Sequence, residues 1–168
     1  MKKIGLLSDT HSYFPVEILE HFKEVDEIWH AGDIGNYDVV KQIQAFKPLR
    51  AVYGNIDGND VRKEFPLDLI FEIEGLKVYI THIGGYPEKY HPLIKPVLKT
   101  EQPALFITGH SHILKVIVDK KLNLLHLNPG AAGKEGFHKV RTLMRFSVEN
   151  AKIKDLEVIE IGSRTKQN

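Results

Sequence analysis

Between Ile4 and Asn59 the chain repeats one pattern three times: a short strand-like run carrying apolar residues, a polar loop, and a return toward the next run. The run over residues 4–8 closes on Asp9-Thr10-His11-Ser12, the run over 26–29 closes on His30-Ala31-Gly32-Asp33, and the run over 49–53 enters Gly54-Asn55-Ile56-Asp57-Gly58-Asn59. Ile18, Leu19, Phe22 and Val25 predict a helix over 15–24, which Pro15 can open. Val39, Val40, Ile43 and Phe46 predict another over 36–46, ended by Lys47-Pro48. Runs that are apolar without alternation are strands buried on both faces, and strands that alternate with helices pair in parallel through right-handed crossovers. Such a sheet gathers the loops after its strands along one edge. The expected class is α/β.

Further on, residues 66–73 and 77–81 predict a hairpin about Glu74-Gly75 whose second arm ends in His82-Ile83-Gly84-Gly85. A helix is expected within 88–99, where Pro92 and Pro96 interrupt the pattern. The run over 104–108 is another buried strand and stops at Gly109-His110-Ser111-His112. Strands without intervening helices follow at 116–118, 122–127, 143–148 and 156–161, predicting a second sheet packed on the first. With no linker or internal repeat, a single domain over 1–162 and a polar, fraying tail over 163–168 are expected.

Composition narrows the function classes. The 168 residues are 42% hydrophobic, and 23 basic residues against 22 acidic ones leave a formal net charge of +1. The charges are interspersed, so nucleic acid as a partner is not supported. No run approaches the roughly 20 apolar residues of a membrane span, and the N-terminal run is too short for a signal peptide, so a soluble, cytoplasmic protein is expected. There is no cysteine, which excludes disulfides, zinc-thiolate sites and thiol nucleophiles. Any metal must be held by His, Asp, Glu or Asn.

Five run ends deliver Asp9 and His11, then Asp33, Asn55, His82, and finally His110 and His112. The pairs Asp9/His11 and His110/His112 are separated by one residue; in extended backbone that spacing points both side chains one way, so each pair could grip one ion. Seven donors are too many for one tetrahedral zinc, whereas two ions sharing a carboxylate use them all. Imidazole and carboxylate without sulfur suit Mn, Fe, Zn, Co or Ni. A single Asp or His at a strand end is more often a cap than a ligand, so the ordered set is what signifies.

Asp9-x-His11, Gly32-Asp33, Gly54-Asn55-x-Asp57, His82 and Gly109-His110-x-His112, in that order, resemble the calcineurin-like metallophosphoesterases. The chain length and Asn128-Pro129-Gly130 are similar to the short, single-domain phosphodiesterase branch, which also includes the retromer scaffold subunit. The resemblance implies a two-layer β sandwich of mixed sheets flanked by helices. It implies that Asp9, His11, Asp33 and His112 bind one divalent ion and Asp33, Asn55, His82 and His110 the other, with Asp33 as the bridge and manganese favoured. It further implies attack on phosphorus by a hydroxide held between the metals, with Asp33 and Asn55 at the catalytic centre. Two positions depart from the family: many members carry His where Ile56 stands, which removes a positioned acid, and the usual serine after Asn-Pro-Gly is Ala131.

Other residues read more plainly. His30 is expected to hydrogen-bond behind the ligands, with Asp57 as a second support, and Asn36 to cap its helix. His21, His91, His126 and His138 lie outside the motifs and are assigned structural roles. Lys134, His138, Lys139 and Arg141 form a basic cluster, read as a solvated face before a phosphate contact. The stretch 86–90 is aromatic enough to line a substrate mouth or to cover the core. The function expected is a phosphodiesterase acting on a small phosphorylated substrate. The alternatives are a phosphomonoesterase on a small metabolite and a non-catalytic, metal-binding scaffold.

Overall fold

The computed structural model describes residues 1–165. Two five-stranded sheets lie face to face. The first is built from β1 (Lys2–Leu7), β2 (Glu27–His30), β3 (Leu49–Ala51) and two strands from the end of the chain. The second takes β4 (Asp68–Ile73), β5 (Leu76–Thr81), β8 (Leu105–Ile107), β9 (Lys115–Asp119) and β10 (Leu124–Asn128). A two-stranded ribbon, β6 (Gly85–Tyr86) with β7 (Lys89–Tyr90), follows β5. β1 pairs parallel to β2 and β2 to β3, while β5 pairs parallel to β8 in the other sheet, so the loops after these five strands share one edge.

The continuous apolar runs are continuous because both sheet faces are covered. Ile4 and Leu6 of β1 and Trp29 of β2 point between the sheets and meet Val78, Ile80, Leu105 and Ile107 of the second sheet. Leu7 and Ile28 point the other way, onto Ile18 of α1 (Glu17–Glu20) and Val40 and Ile43 of α2 (Tyr37–Phe46). On the far side, Tyr79 and Phe106 are covered by Leu98 of α4 (Lys95–Glu101). Each fully buried aliphatic side chain contributes about 1.5–3 kcal/mol, so the layered arrangement follows from satisfying both faces at once. α3 (Asn59–Glu64) closes the loop after β3.

Four expectations change. The strands after residue 116 do not form one separate sheet. β9 and β10 complete the second, but β11 (Val140–Glu149) crosses back to pair antiparallel with β1, and β12 (Lys152–Ser163) pairs with β11 at the edge. β11 can sit inside the first sheet because Leu143 faces its helical layer while Met144 and Phe146 face the sandwich core. The helix expected over 88–99 begins only at Lys95, since the preceding residues form the β6–β7 ribbon and Pro96 occupies the first turn, where its missing N–H costs nothing. The helix over 15–24 shrinks to α1, flanked by single turns; its N-cap Val16 supplies no side-chain acceptor. The tail is docked at its start: Ser163 ends β12, and Arg164 donates its N–H to Lys139 O at 3.0 Å and Nε–H to His138 O at 2.7 Å. Residues 166–168 lie outside the described residues. No helix among the described residues is long and apolar enough to cross a membrane.

Candidate metal centre

Every run-end residue singled out in the sequence reaches the shared edge of the sandwich. Ligand atoms of Asp9, His11 and His112 lie within 4.8 Å of one another, and those of Asp33, His82 and His110 form a second such group. The groups adjoin: His11 Nε2 is 3.7 Å from Asp9 Oδ1 and 3.4 Å from Asp33 Oδ2. His82 Nε2 is 3.1 Å from the same Asp33 Oδ2, and His112 Nε2 is 3.0 Å from Asp9 Oδ1. Asn55 Oδ1 faces His110 Nδ1 at 3.1 Å. One oxygen of Asp33 therefore looks toward an imidazole of each group.

The local backbone differs from the extended form expected for the one-residue spacings. Asp9, His11, Asp33, His110 and His112 all have positive φ, from 45° at His11 to 68° at His110. Left-handed residues turn the chain instead of continuing the strand, and the consequence is that His110 and His112 do not share a group. His112 joins Asp9 and His11, while His110 joins Asp33 and His82. Asp and His tolerate this region better than branched residues do, yet each such residue costs on the order of 1–3 kcal/mol and persists only where its surroundings fix it. Here Asp9 N–H donates to Gly32 O and His11 N–H to Asp33 O, which zips the first loop onto the second. Two glycines make the close approach possible. A Cβ on Gly54 would lie 2.0 Å from Asp33 Oδ1, and one on Gly32, itself at φ 99°, would lie 2.6 Å from His82 Nδ1.

Hydrogen bonds orient the inward atoms. Asp9 Oδ2 accepts from Ser8 Oγ at 2.6 Å and from the His110 N–H at 3.1 Å, leaving Oδ1 to face the centre. Asp33 Oδ1 accepts from the Ile56 N–H at 3.0 Å, leaving Oδ2 inward. The Nδ1 of His82 contacts Ala31 O at 2.7 Å, so that nitrogen holds the proton and Nε2 turns its lone pair inward. Asp9 Oδ1, His11 Nε2 and His82 Nε2 are all buried without a hydrogen-bond partner. Buried orphan acceptors of this kind are costly unless something else satisfies them. An oxygen- and nitrogen-rich set converging on one point fits divalent cations.

Charge is concentrated accordingly. Burial pushes the Asp9 carboxyl up, but the His11 and His112 imidazoles facing it outweigh this and hold the group well below the usual carboxylate range. The facing Asp9 carboxylate raises His11. Burial opposes protonation of His82, yet the facing Asp33 and Asp9 carboxylates raise it nonetheless. Burial also raises Asp33, a shift reversed by the His82 imidazole facing it. His110 goes the other way, lowered by burial and by the charge of His82. Without cations, protons are what keep the two carboxylates apart from full repulsion, and a cation would replace them.

The supporting residues fall into place around this core. His30 is fully buried: Thr10 Oγ1 lies 3.0 Å from its Nε2, and its Nδ1 accepts the Gly32 N–H at 3.1 Å, so it ties the Asp9 loop to the Asp33 loop. Asp57 accepts the Gly35 N–H on Oδ1 and the Gly54 N–H on Oδ2, both at 2.8 Å, and so clamps the Asp33 loop to the Asn55 loop. Asn36 caps α2 by accepting the Asp38 N–H. His126 pairs with Thr108 Oγ1 beneath the second sheet, His138 with Gly133 O, and His91 accepts the Leu93 N–H. In the basic cluster, Lys134 Nζ and the Arg141 guanidinium lie over the Tyr13 ring at 4.1 and 4.7 Å, and Arg141 Nε donates to Ala132 O. Of the stretch 86–90, Tyr86 and Tyr90 line a cavity that includes His110.

Sequence reasoning overlooked three participants. Ser8 holds Asp9, Thr10 holds His30, and Asn128 donates from Nδ2 to Gly109 O and Ser111 Oγ, steadying the His110–His112 loop from the end of β10. Their signal was present for Asn128, whose Asn-Pro-Gly turn was noted without a partner. A serine or threonine beside a run-end aspartate carries none.

The profile of the calcineurin-like phosphoesterase superfamily domain matches residues 1–151. A probable metallophosphoesterase of Methanocaldococcus jannaschii is 30% identical over 154 residues, spanning 88% of this chain and 76% of that protein. A phosphodiesterase of the same organism is 29% identical over 145 residues, spanning 76% and 82%. Among solved structures, Vps29 of Chaetomium thermophilum superposes with a TM-score of 0.75 over 98% of this chain and 100% of its own at 12% identity, a likeness of fold alone.

Proposed function

The chain belongs to the calcineurin-like phosphoesterase superfamily, and we propose that it is a phosphodiesterase working through a two-ion centre at the shared edge of its sheets. The observation that supports this reading is the pair of three-residue ligand groups that meet at Asp33 Oδ2, with buried, partnerless donor atoms turned inward. In this proposal Asp9, His11 and His112 hold one ion, Asn55, His82 and His110 the other, and Asp33 both. Manganese suits an oxygen-and-imidazole set without thiolate, and a cytoplasmic location is part of the proposal. Bound there, the ions supply Lewis acidity that activates water near neutral pH and offsets charge on phosphoryl oxygens.

The chain's own residues then have limited but definite tasks. Asp9 and Asp33 bring two negative charges into a site they share with four imidazoles. Ser8, the Ile56 N–H and Ala31 O fix which atom of Asp9, Asp33 and His82 turns inward to hold the ions. Ile56 presents only its backbone to this network, and its side chain is 46% exposed, so no acid stands at that position. The diester preference is supported by the phosphodiesterase relative and by cavities on both sides of His82 and His110, one for each ester arm.

The test is hydrolysis by purified, Mn²⁺-supplemented protein of bis(p-nitrophenyl) phosphate and of p-nitrophenyl phosphate. Faster turnover of the diester is expected. No metal-dependent hydrolysis of either ester would overturn the enzymatic reading in favour of a metal-binding scaffold, which the exposed Ile56 favours. A strong monoester preference would overturn the diesterase assignment in favour of a phosphomonoesterase.

A further inference from the structure

Two cavities flank the ligand edge, parted by a ridge of Ile83 and His91, which line both. The smaller, about 290 Å³, includes His110, Lys89 and Lys115. The larger, about 510 Å³, includes Asn55 and His82 and is otherwise walled chiefly by Leu67, Leu93, Ile94 and Val97. A volume of that size suits a small organic group. Leu67 and Leu93 stand at its mouth 52% and 76% exposed, so apolar surface is held open toward solvent beside the ligands.

Two charged side chains of this cavity are already engaged. Arg62 donates from Nε to Asp57 O at 2.6 Å and from a terminal nitrogen to Asn55 O at 3.3 Å. Asp68 accepts the Tyr79 hydroxyl at 3.1 Å. The Arg62 guanidinium also lies 4.6 Å over the Tyr53 ring, occupying one face of the one phenol in the lining. Most of the open lining surface is apolar, which favours an aliphatic group over a charged or sugar-bearing one.

We infer that this cavity binds one ester arm of the substrate, and that the arm is an uncharged aliphatic group. The inference rests on the phosphodiesterase reading above. A phosphorus centre beside Asn55 and His82 places one substituent at the cavity's inner wall, and burial of each methylene there is worth about 4-fold in affinity. Three added methylenes on that arm give at most about 60-fold.

Calorimetry on the zinc-loaded protein compares two unreactive esters, dimethyl phosphate and dibutyl phosphate, together with methyl thymidine 5′-phosphate. Dibutyl phosphate is expected to bind at least 10-fold tighter than dimethyl phosphate and tighter than the thymidine ester. Methyl-labelled, metal-free protein titrated with 1-butanol is expected to show shifts at Leu67, Ile94 and Val97. Leu93→Asp, at an exposed rim position that the fold does not depend on, should shrink the dibutyl-to-dimethyl ratio several-fold. Equal affinities for the two dialkyl esters, or preference for the thymidine ester, would overturn the inference even if aryl diesters are hydrolysed. Tight dibutyl phosphate binding without hydrolysis of any ester would support the cavity and overturn the enzymatic reading instead.

Discussion

Replacing Asp57 by asparagine separates two roles that this carboxylate could play beside the ligands. It accepts one backbone N–H on each oxygen, from Gly35 and from Gly54, and it is 4% exposed. Asparagine keeps the shape but turns one acceptor into an NH₂ donor, which must face a backbone N–H. A hydrogen bond to a charged group is worth about 1.5–3 kcal/mol, and stranding the buried donor adds roughly 1–3 kcal/mol. A total near 3 kcal/mol lowers Tm by roughly 10 °C in a chain of this length. Because the clamp joins the loops of Asp33 and Asn55, Mn²⁺ affinity should also fall, by about 10- to 100-fold. Thermal unfolding of the metal-free variant and an Mn²⁺ titration measure both effects. Unchanged Tm and affinity, with a rate loss confined to esters of poor leaving groups, would refute the clamp and make Asp57 a proton donor.

Two further perturbations probe separate parts of the structure. Burial holds His126 at about 4, with the charge of Lys115 acting in the same direction, and burial likewise holds His30 at about 4. Both values lie below the roughly 6.5 of an unfolded imidazole, so between about pH 6.5 and 4 the unfolded chain takes protons that the folded chain refuses. Stability is full above that window and falls through it on acidification; in denaturant titrations across it, His126→Leu should reduce the slope by up to about 1.4 kcal/mol per pH unit. An unaltered slope would show that His126 takes no part. Ile56→His restores an imidazole at an exposed position beside Asn55 and should speed hydrolysis of diesters with poor leaving groups by about 10²-fold or more, with little gain on p-nitrophenyl esters. Equal gains on both would mean that the new side chain binds substrate instead of protonating it.

The architecture was legible wherever one local signal sufficed. The runs ending at Asp9 and His110 are apolar because β1 and β8 are covered on both faces, and covered parallel strands put their following loops at one edge. Sheet membership was not legible for β11. Leu143 to Val148 reads the same whether it pairs with β10 or with β1, since pairing is decided by partners distant in sequence. Asp57 was recognised as a support, but its two N–H partners, at Gly35 and Gly54, depend on how two loops meet. The left-handed turns at His110 and His112 were hidden for a similar reason: a spacing of one residue has a fixed meaning only in extended backbone, and these loops leave it at the ligand itself. Extended geometry would have paired the two histidines on one ion, whereas the turns send them to different groups.

The two-ion centre bridged by Asp33 is tested most directly by electron paramagnetic resonance of the protein titrated with Mn²⁺, alongside Asp33→Asn. The wild-type chain should take up two ions and give the multiline spectrum of an exchange-coupled pair, and Asp33→Asn should lose that coupling together with at least one ion. Binding of a single, magnetically isolated Mn²⁺, or an Asp33→Asn spectrum identical to wild type, would contradict the shared carboxylate on which the proposed chemistry depends.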